Sequence, residues 1–316
     1  MEKRRLGRTD LSIAPLVLGG NVFGWTADRA ATFTLLDRFT GAGFDAVDTA
    51  DIYSTWVPGH QGGESESLIG EWMKARGNRD HITLITKVGM QMAPGKQGLS
   101  AAWIERAAED SLRRLQTDRI DLYFSHTFDP DVPVDETLRA YERLVRAGKV
   151  RYIGASNHDT AQLGLALKAA RDGGLPRYDV LQPHYNLYER AGYERALRDL
   201  AVGEGLGVIT YFSLASGFLT GKYRSAKDFS RSPRGAGMSR FLNARGLAIL
   251  AALDRVAAAH AARPAEVAIA WLIARAGVTA PIASATNPEQ LDSLVRATQL
   301  TLAVDEIADL DRASAY

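Results

Sequence analysis

The chain has 316 residues and no cysteine. Disulfides, thiolate catalysis and cysteine-ligated metals are therefore excluded. An excess of one charge is also missing. Lys and Arg number 38 against 37 Asp and Glu, for a net charge of +1, which gives no reason to expect nucleic acid or an anionic membrane as partner. The six histidines (His60, His81, His126, His158, His184 and His260) show no paired His-x-His spacing, so no metal site is expected. No apolar run is long enough to span a bilayer, and Met1–Asp10 lacks the apolar core of a signal peptide. The expectation is a cytoplasmic enzyme with no membrane or nucleic-acid partner.

What is present is a recurring beat of strand-like and helix-like segments. Short apolar runs occur at Leu16–Gly19, Phe44–Asp48, Ile82–Lys87, Ile120–His126, Tyr152–Ser156, Val180–Tyr185, Val208–Phe212 and Pro281–Ser284. They are rich in β-branched and aromatic residues, as buried parallel strands are. Most gaps fit one βαβ crossover. After Ser100, Trp103, Ile104, Ala107, Ala108, Ser111, Leu112 and Leu115 recur at helical spacing. A second helix is expected from Asp135 to a stop near Gly148, and a third with Pro264 in its first turn. Arg5–Ile13 reads as a β-hairpin able to plug a barrel floor. The expected fold is α/β, a (β/α)8 TIM barrel forming one domain over residues 1–316, with this N-terminal hairpin and a long loop after strand seven. Such a barrel takes about 250 residues or more, and 46% hydrophobic residues suffice for its core.

The long loop interrupts the beat. Lys222–Gly237 is rich in basic, Gly and Ser residues. That composition suits a disordered surface loop and equally a mobile lid, since long loops in compact domains are often functional.

Four polar residues sit at or just past strand ends. Asp48 closes the second run, with Tyr53 five positions on; Lys87 closes the third and His126 the fourth. Barrel enzymes take their catalytic groups from the C-terminal ends of several strands. An acid, a phenol, an amine and an imidazole gathered there form a proton-delivery site. A free phenol, with a pKa near 10, is a poor acid at neutral pH, and a nearby ammonium is expected to lower that value. Asp48 would hold Lys87, because a buried ammonium needs a partner. Singly, each residue also has a structural use, such as Asp48 as a helix cap.

Asp48, Tyr53, Lys87 and His126 resemble the tetrad of the aldo-keto reductases. Further segments resemble that family in the right order: Leu18–Gly24, His126–Asp129 followed by Pro133, Glu136 and Thr137, Gly148–Asn157, Leu181–Asn186 and Gly217–Lys222. The combination looks most like the potassium-channel β-subunit branch and its bacterial relatives. The resemblance implies reduction of aldehydes or ketones, or the reverse on a sugar or alcohol. Tyr53 would donate the proton, and NADPH/NADP+ would be the hydride carrier. It also leaves open a cofactor-binding regulatory subunit with little turnover.

The family's cofactor residues carry over by position. Gly20 and Asn21 fall in the first cofactor-side loop, and Asp48 at its strand end. Ser156, Asn157 and Gln182 match the residues holding the nicotinamide carboxamide, and Tyr211 the aromatic stacked on its ring. Phe212, Leu214 and Gly217 match backbone contacts to the pyrophosphate, and Lys222 a direct phosphate partner. Ser284, Thr286 and Gln290 belong to the segment for the adenosine 2′-phosphate. Thr286 stands where many relatives carry a basic residue, and Ser293 and Leu294 replace a Glu-Asn pair, so NADH/NAD+ stays open. Thr127 replaces an aromatic common after the histidine. Phe23, Trp25, Trp56 and Phe128 are the expected aromatic walls of a partly apolar substrate pocket for a small carbonyl or sugar.

Overall fold

The computed structural model describes residues 2–316. Eight parallel strands close into a barrel in chain order. They are β3 (Val17–Gly19), β4 (Ala46–Asp48), β5 (Thr83–Val88), β6 (Ile120–Ser125), β7 (Val150–Ser156), β8 (Tyr178–Gln182), β9 (Gly207–Thr210) and β10 (Ala280–Ala283). All eight expected apolar runs contribute a strand. Four end earlier than expected, β6 and β10 by one residue, β8 at Gln182 by three and β9 at Thr210 by two. Pro183 follows β8 and has no amide hydrogen to continue the ladder, although Tyr211 and His184 still form an isolated bridge.

Alternation along the strands divides the core into an inner and an outer layer. Val17, Ala46, Ile85, Leu122, Phe124, Val180, Ile209, Ala280 and Ile282 pack together within the barrel. Their neighbours Leu18, Val47 and Leu84 join the outer layer with helical residues such as Leu35, Ile69 and Trp72. Gly154 makes room for the inner layer, since a Cβ there would lie 2.3 Å from the Phe124 ring.

The antiparallel hairpin of β1 (Arg4–Arg5) and β2 (Ser12–Ile13) closes the floor. Its Leu6, Leu11 and Ile13 belong to the same inner cluster. Gly7 has φ +58°, and a Cβ there would sit 2.3 Å from the Gly207 amide nitrogen at the start of β9. The plug thus touches the strand backbone directly, and the opposite, C-terminal rim is left for a site.

Among the described residues ten helices accompany the barrel: α1 (Arg29–Gly41), α2 (Glu64–Arg76), α3 (Ala101–Leu115), α4 (Val134–Arg146), α5 (Thr160–Gly173), α6 (Ala196–Gly203), α7 (Ala244–Ala259), α8 (Pro264–Ile273), α9 (Pro288–Ala297) and α10 (Val304–Ala313). The seven residues spaced along α3 are all buried. Ser100 takes the N-cap position without a side-chain capping bond. Gly148 follows the end of α4 with φ +71°, and Pro264 opens α8.

The stretch after β9 is a folded element, which corrects the disordered alternative. It forms three 3-10 turns, Ala215–Thr220, Ala226–Arg231 and Gly235–Phe241. Its polar composition concealed a small aromatic core: Tyr223, Met238 and Phe241 are buried, and Phe241 stacks on Phe218 at 5.1 Å. Among the described residues no single helix is long and apolar enough to cross a membrane, and no cluster has the makings of a metal site.

Candidate active site

A cavity of about 1040 Å³ opens at the C-terminal rim of the barrel. Asp48 is the last residue of β4, Lys87 lies one residue before the end of β5, and His126 directly follows β6. Tyr53 sits in the turn after β4, half-buried. Three different strands therefore deliver the four expected groups to one point. Asp48, Tyr53 and His126 line the cavity, and Lys87 lies beneath them with no exposure.

The Lys87 ammonium donates to Asp48 Oδ2 at 2.6 Å, to the Thr49 carbonyl at 2.7 Å and to the Tyr53 hydroxyl at 3.3 Å. Its three protons thus have three acceptors, which a buried ammonium requires. The second Asp48 oxygen, Oδ1, accepts from Gln182 Nε2 at 2.9 Å. The His126 ring meets the Tyr53 ring edge-on at 6.0 Å, and its Nδ1 is buried with no hydrogen-bond partner.

Burial and charge act together on these groups. Burial pulls Lys87 down, but Asp48 and Tyr53 outweigh it and hold the ammonium above its ordinary pKa. Burial pushes Asp48 up, against the pull of Lys87 and Gln182. His126 is driven well below its usual range by burial and then by the Lys87 charge, so its imidazole is neutral at neutral pH. Tyr53 departs from the sequence expectation. Burial raises its pKa more than Lys87 lowers it, because a phenolate loses its hydration on entering the rim. The ammonium offsets part of this cost without removing it.

A second group of side chains continues from the tetrad. Ser156 Oγ donates to the Gln182 carbonyl at 3.0 Å, and Asn157 Nδ2 donates to the His126 carbonyl at 2.8 Å. The Tyr211 hydroxyl donates to Asn157 Oδ1 at 2.5 Å. His184 stacks on Tyr211 at 5.1 Å with the planes 20° apart, a support that no spacing in the chain marks. One face of the Tyr211 ring is thereby covered, and the residue lines the cavity.

Beyond Tyr211 the wall follows Phe212, Leu214, Gly217 and Lys222. Phe212, Ala215 and Ser216 take left-handed φ values of 53°, 47° and 57°. Each such residue costs about 1–3 kcal/mol, and such strain gathers at ligand clamps. At the far end stand Asn21, Ser284, Thr286 and Gln290. Ser284 Oγ donates to Asn21 Oδ1 at 2.6 Å, joining the loops after β10 and β3. Gln290 Oε1 accepts from the Thr286 amide at 2.9 Å.

Several residues fall elsewhere than expected. Gly20 stands behind the wall, with its amide bonded to the Asp48 carbonyl at 2.7 Å; Gly19 lines the cavity instead. Phe23 is fully buried in the outer core. Phe128 packs edge-on against His158 at 5.6 Å, beside a separate small pocket. Trp25 is not on the cavity wall but packs behind two residues that are, meeting Trp56 at 5.7 Å and lying under Arg234 at 5.2 Å. An aromatic run on a rim loop does not reveal which ring turns inward. The expected basic loop does bring Arg231 and Arg234 to the wall, whereas sequence reasoning missed Met90 and Arg263.

The comparisons with known proteins agree with this geometry. A model described as the Aldo/keto reductase family matches residues 15–315. The chain is 35% identical over 312 residues to a Bacillus subtilis protein named uncharacterized oxidoreductase YrpG, covering 96% of this chain and 92% of that one. It is 32% identical over 319 residues to norsolorinic acid reductase of Aspergillus flavus, covering 96% and 78%. It is 29% identical over 338 residues to protein tas of Escherichia coli, covering 98% and 97%. With a family match running from just past the floor hairpin to beyond α10 on a closed eight-stranded barrel, the chain belongs to the aldo/keto reductase family.

Proposed function

We propose that this protein is an NAD(P)H-dependent oxidoreductase that reduces aldehydes or ketones to alcohols and runs the reverse on alcohols or sugars. The observation carrying this reading is the Lys87 ammonium, bonded to Asp48 at 2.6 Å and to the Tyr53 hydroxyl at 3.3 Å below an open cavity. The hydride for the carbonyl carbon would come from the nicotinamide of a dinucleotide held by the wall residues. The chain's own residues serve the oxygen. Neutral His126 donates a ring N–H to it and orients it, and Tyr53 gives it a proton. Lys87 stabilises the phenolate left behind, Asp48 holds Lys87, and solvent returns the proton to Tyr53. One hydride and one proton are added, so the carbonyl becomes an alcohol.

The residues present suit a dinucleotide. Ser156, Asn157 and Gln182 would hold the carboxamide, and Tyr211, backed by His184, would stack on the ring. The strained backbone at Phe212–Gly217 and the Lys222 ammonium would meet the pyrophosphate. Thr286 has no charge for a 2′-phosphate, but Arg263 lies on the same stretch of wall as Thr286 and Gln290. That guanidinium supports a preference for NADPH over NADH. The family match over residues 15–315 supports a single domain.

The test follows the loss of NADPH and NADH absorbance with a panel of aldehydes, for the wild type and Tyr53→Phe. Consumption that depends on aldehyde and on Tyr53 is expected. Tight cofactor binding with no turnover on any aldehyde would instead favour the regulatory alternative.

A further inference from the structure

His184 and Tyr211 meet twice. Their backbones form the isolated bridge just past the ends of β8 and β9, and their rings stack at 5.1 Å with the planes 20° apart. The imidazole also meets the Phe212 ring edge-on at 5.3 Å. Tyr211 lines the cavity, and His184 lies behind it, off the wall. The Tyr211 hydroxyl donates to Asn157, so the phenol is held at its tip and across its back. Proton transfer and the carboxamide contacts leave His184 without a role.

Asn186 fixes the protonation state of that imidazole. Its Oδ1 accepts from the backbone amides of Tyr188 at 2.8 Å and Glu189 at 2.9 Å. Its Nδ2 is thereby turned toward the Phe212 carbonyl at 2.9 Å and His184 Nε2 at 3.4 Å. Nδ2 can only donate, so Nε2 accepts and the ring is neutral, with its proton on Nδ1. A second proton on Nε2 would set donor against donor. Burial lowers the His184 pKa; of the charges facing the ring, Glu189 raises it and Arg240 lowers it. Burial, with Tyr53 adding to it, pushes the Tyr211 phenol up to about 12, so neither ring of the stack is charged at neutral pH. The open face of Tyr211 is then electron-rich and attracts a cationic ring. Oxidised nicotinamide is a pyridinium cation, whereas the reduced dihydropyridine carries no charge.

We propose that His184 is a positioning residue that acts through Tyr211 to favour oxidised over reduced nicotinamide, and that this preference is lost when its ring gains a proton. The inference rests on the proposed reading of Tyr211 as the partner stacked on the nicotinamide. An imidazolium behind the phenol repels a pyridinium in front of it and leaves the uncharged dihydropyridine little affected. The coupling is reciprocal. NADP+ makes His184 harder to protonate, and acid shifts the bound couple toward NADPH. His184 itself touches no reacting atom.

The test measures Kd for NADP+ and NADPH by stopped-flow quenching of protein fluorescence, with NAD+ and NADH in parallel. It uses the full chain as wild type, His184→Phe and His184→Arg, from about pH 8 down to about pH 5. In wild type the Kd ratio of oxidised to reduced dinucleotide is expected to rise about threefold to tenfold toward acid, the scale of one cation–π contact. Any 2′-phosphate is common to both members of a pair and cancels in the ratio. His184→Phe keeps a stacking ring that cannot gain a proton, so its ratio should stay flat. His184→Arg puts a planar, permanent cation behind Tyr211 and should hold the raised ratio at every pH. On the wild type alone, NADP+ binding at about pH 5.5 should release protons that NADPH binding does not, read by calorimetry in two buffers. A wild-type ratio that does not move with pH, or one that moves equally in His184→Phe, overturns the proposal. Variants that weaken both members of a pair alike, with the ratio unchanged, also overturn it and leave His184 a packing residue. If no dinucleotide binds at all, the cofactor reading fails and the inference falls with it. Binding is read without substrate, so turnover does not enter the result.

Discussion

Gln182 Nε2 and Asp48 Oδ1 are 2.9 Å apart, although 134 positions separate them in the chain. This bond ties the end of β8 to the end of β4 and links the Ser156, Asn157 and Gln182 group with the ion pair. Asp48 therefore has one oxygen for Gln182 and the other for Lys87.

Removing that carboxylate strands a buried ammonium. Asp48→Asn should destabilise the fold by about 3–5 kcal/mol, the usual range for breaking one side of a buried pair. Urea unfolding monitored by circular dichroism measures it. A double variant, Asp48→Asn with Lys87→Met, should recover part of the loss because neither charge is then left alone. If the double variant is no more stable than the single, the stranded charge is not the cause.

Tyr53→Phe deletes one hydroxyl and keeps the ring that packs on Trp56 and His126. Positioned acid catalysis is worth about 10² to 10⁴ in rate. Reduction should fall by that order, with NADPH affinity and thermal midpoint close to wild type. Because burial lifts the Tyr53 pKa above 10.0, its loss of acidity should enter the pH profile of reduction only above about pH 10. A Tyr53-dependent fall near neutral pH would contradict this account, as would wild-type single-turnover rates in Tyr53→Phe.

The sequence made the strands and tetrad legible for a physical reason. Parallel strands buried on both sides are apolar until the rim, so Asp48, Lys87 and His126 stand out at their ends. The direction of the Tyr53 shift was not legible, since sequence names the nearby charge but not the depth of burial. His184 and Arg263 were also hidden, as was which residues of the basic loop turn inward. Arg234 and Arg263 reach the wall, and His184 backs Tyr211, through loop packing with no spacing rule to mark it. Phe23 and Phe128 illustrate the converse, since hydrophobicity places a ring indoors without choosing core or cavity.

His126 predicts how stability follows pH. Its folded pKa lies well below 6.5 because burial and Lys87 disfavour the imidazolium. The unfolded chain then binds more protons below pH 6.5, so the linkage slope is positive there. The stability from this group is present above its unfolded pKa and is lost as pH falls toward the folded value. His126→Asn should flatten the fall in thermal midpoint between about pH 6.5 and pH 5. An unchanged slope would exclude His126 as its source, leaving His158 and His184, which burial also lowers.

Arg263 and Glu289 pair at 2.8 Å near Thr286. A 2′-phosphate at Thr286 would compete with Glu289 for the same guanidinium. The two substitutions should therefore act in opposite directions. Arg263→Ala should weaken NADPH binding by up to roughly tenfold, the scale of an exposed charge contact, and leave NADH unchanged. Glu289→Ala should free Arg263 and tighten NADPH binding relative to NADH. Both differences should shrink as salt is raised, since exposed charges are screened. Direct titration of each variant with the two cofactors supplies the four dissociation constants. If Arg263→Ala weakens NADPH and NADH alike, the residue contacts the shared part of the dinucleotide and does not read the 2′-phosphate.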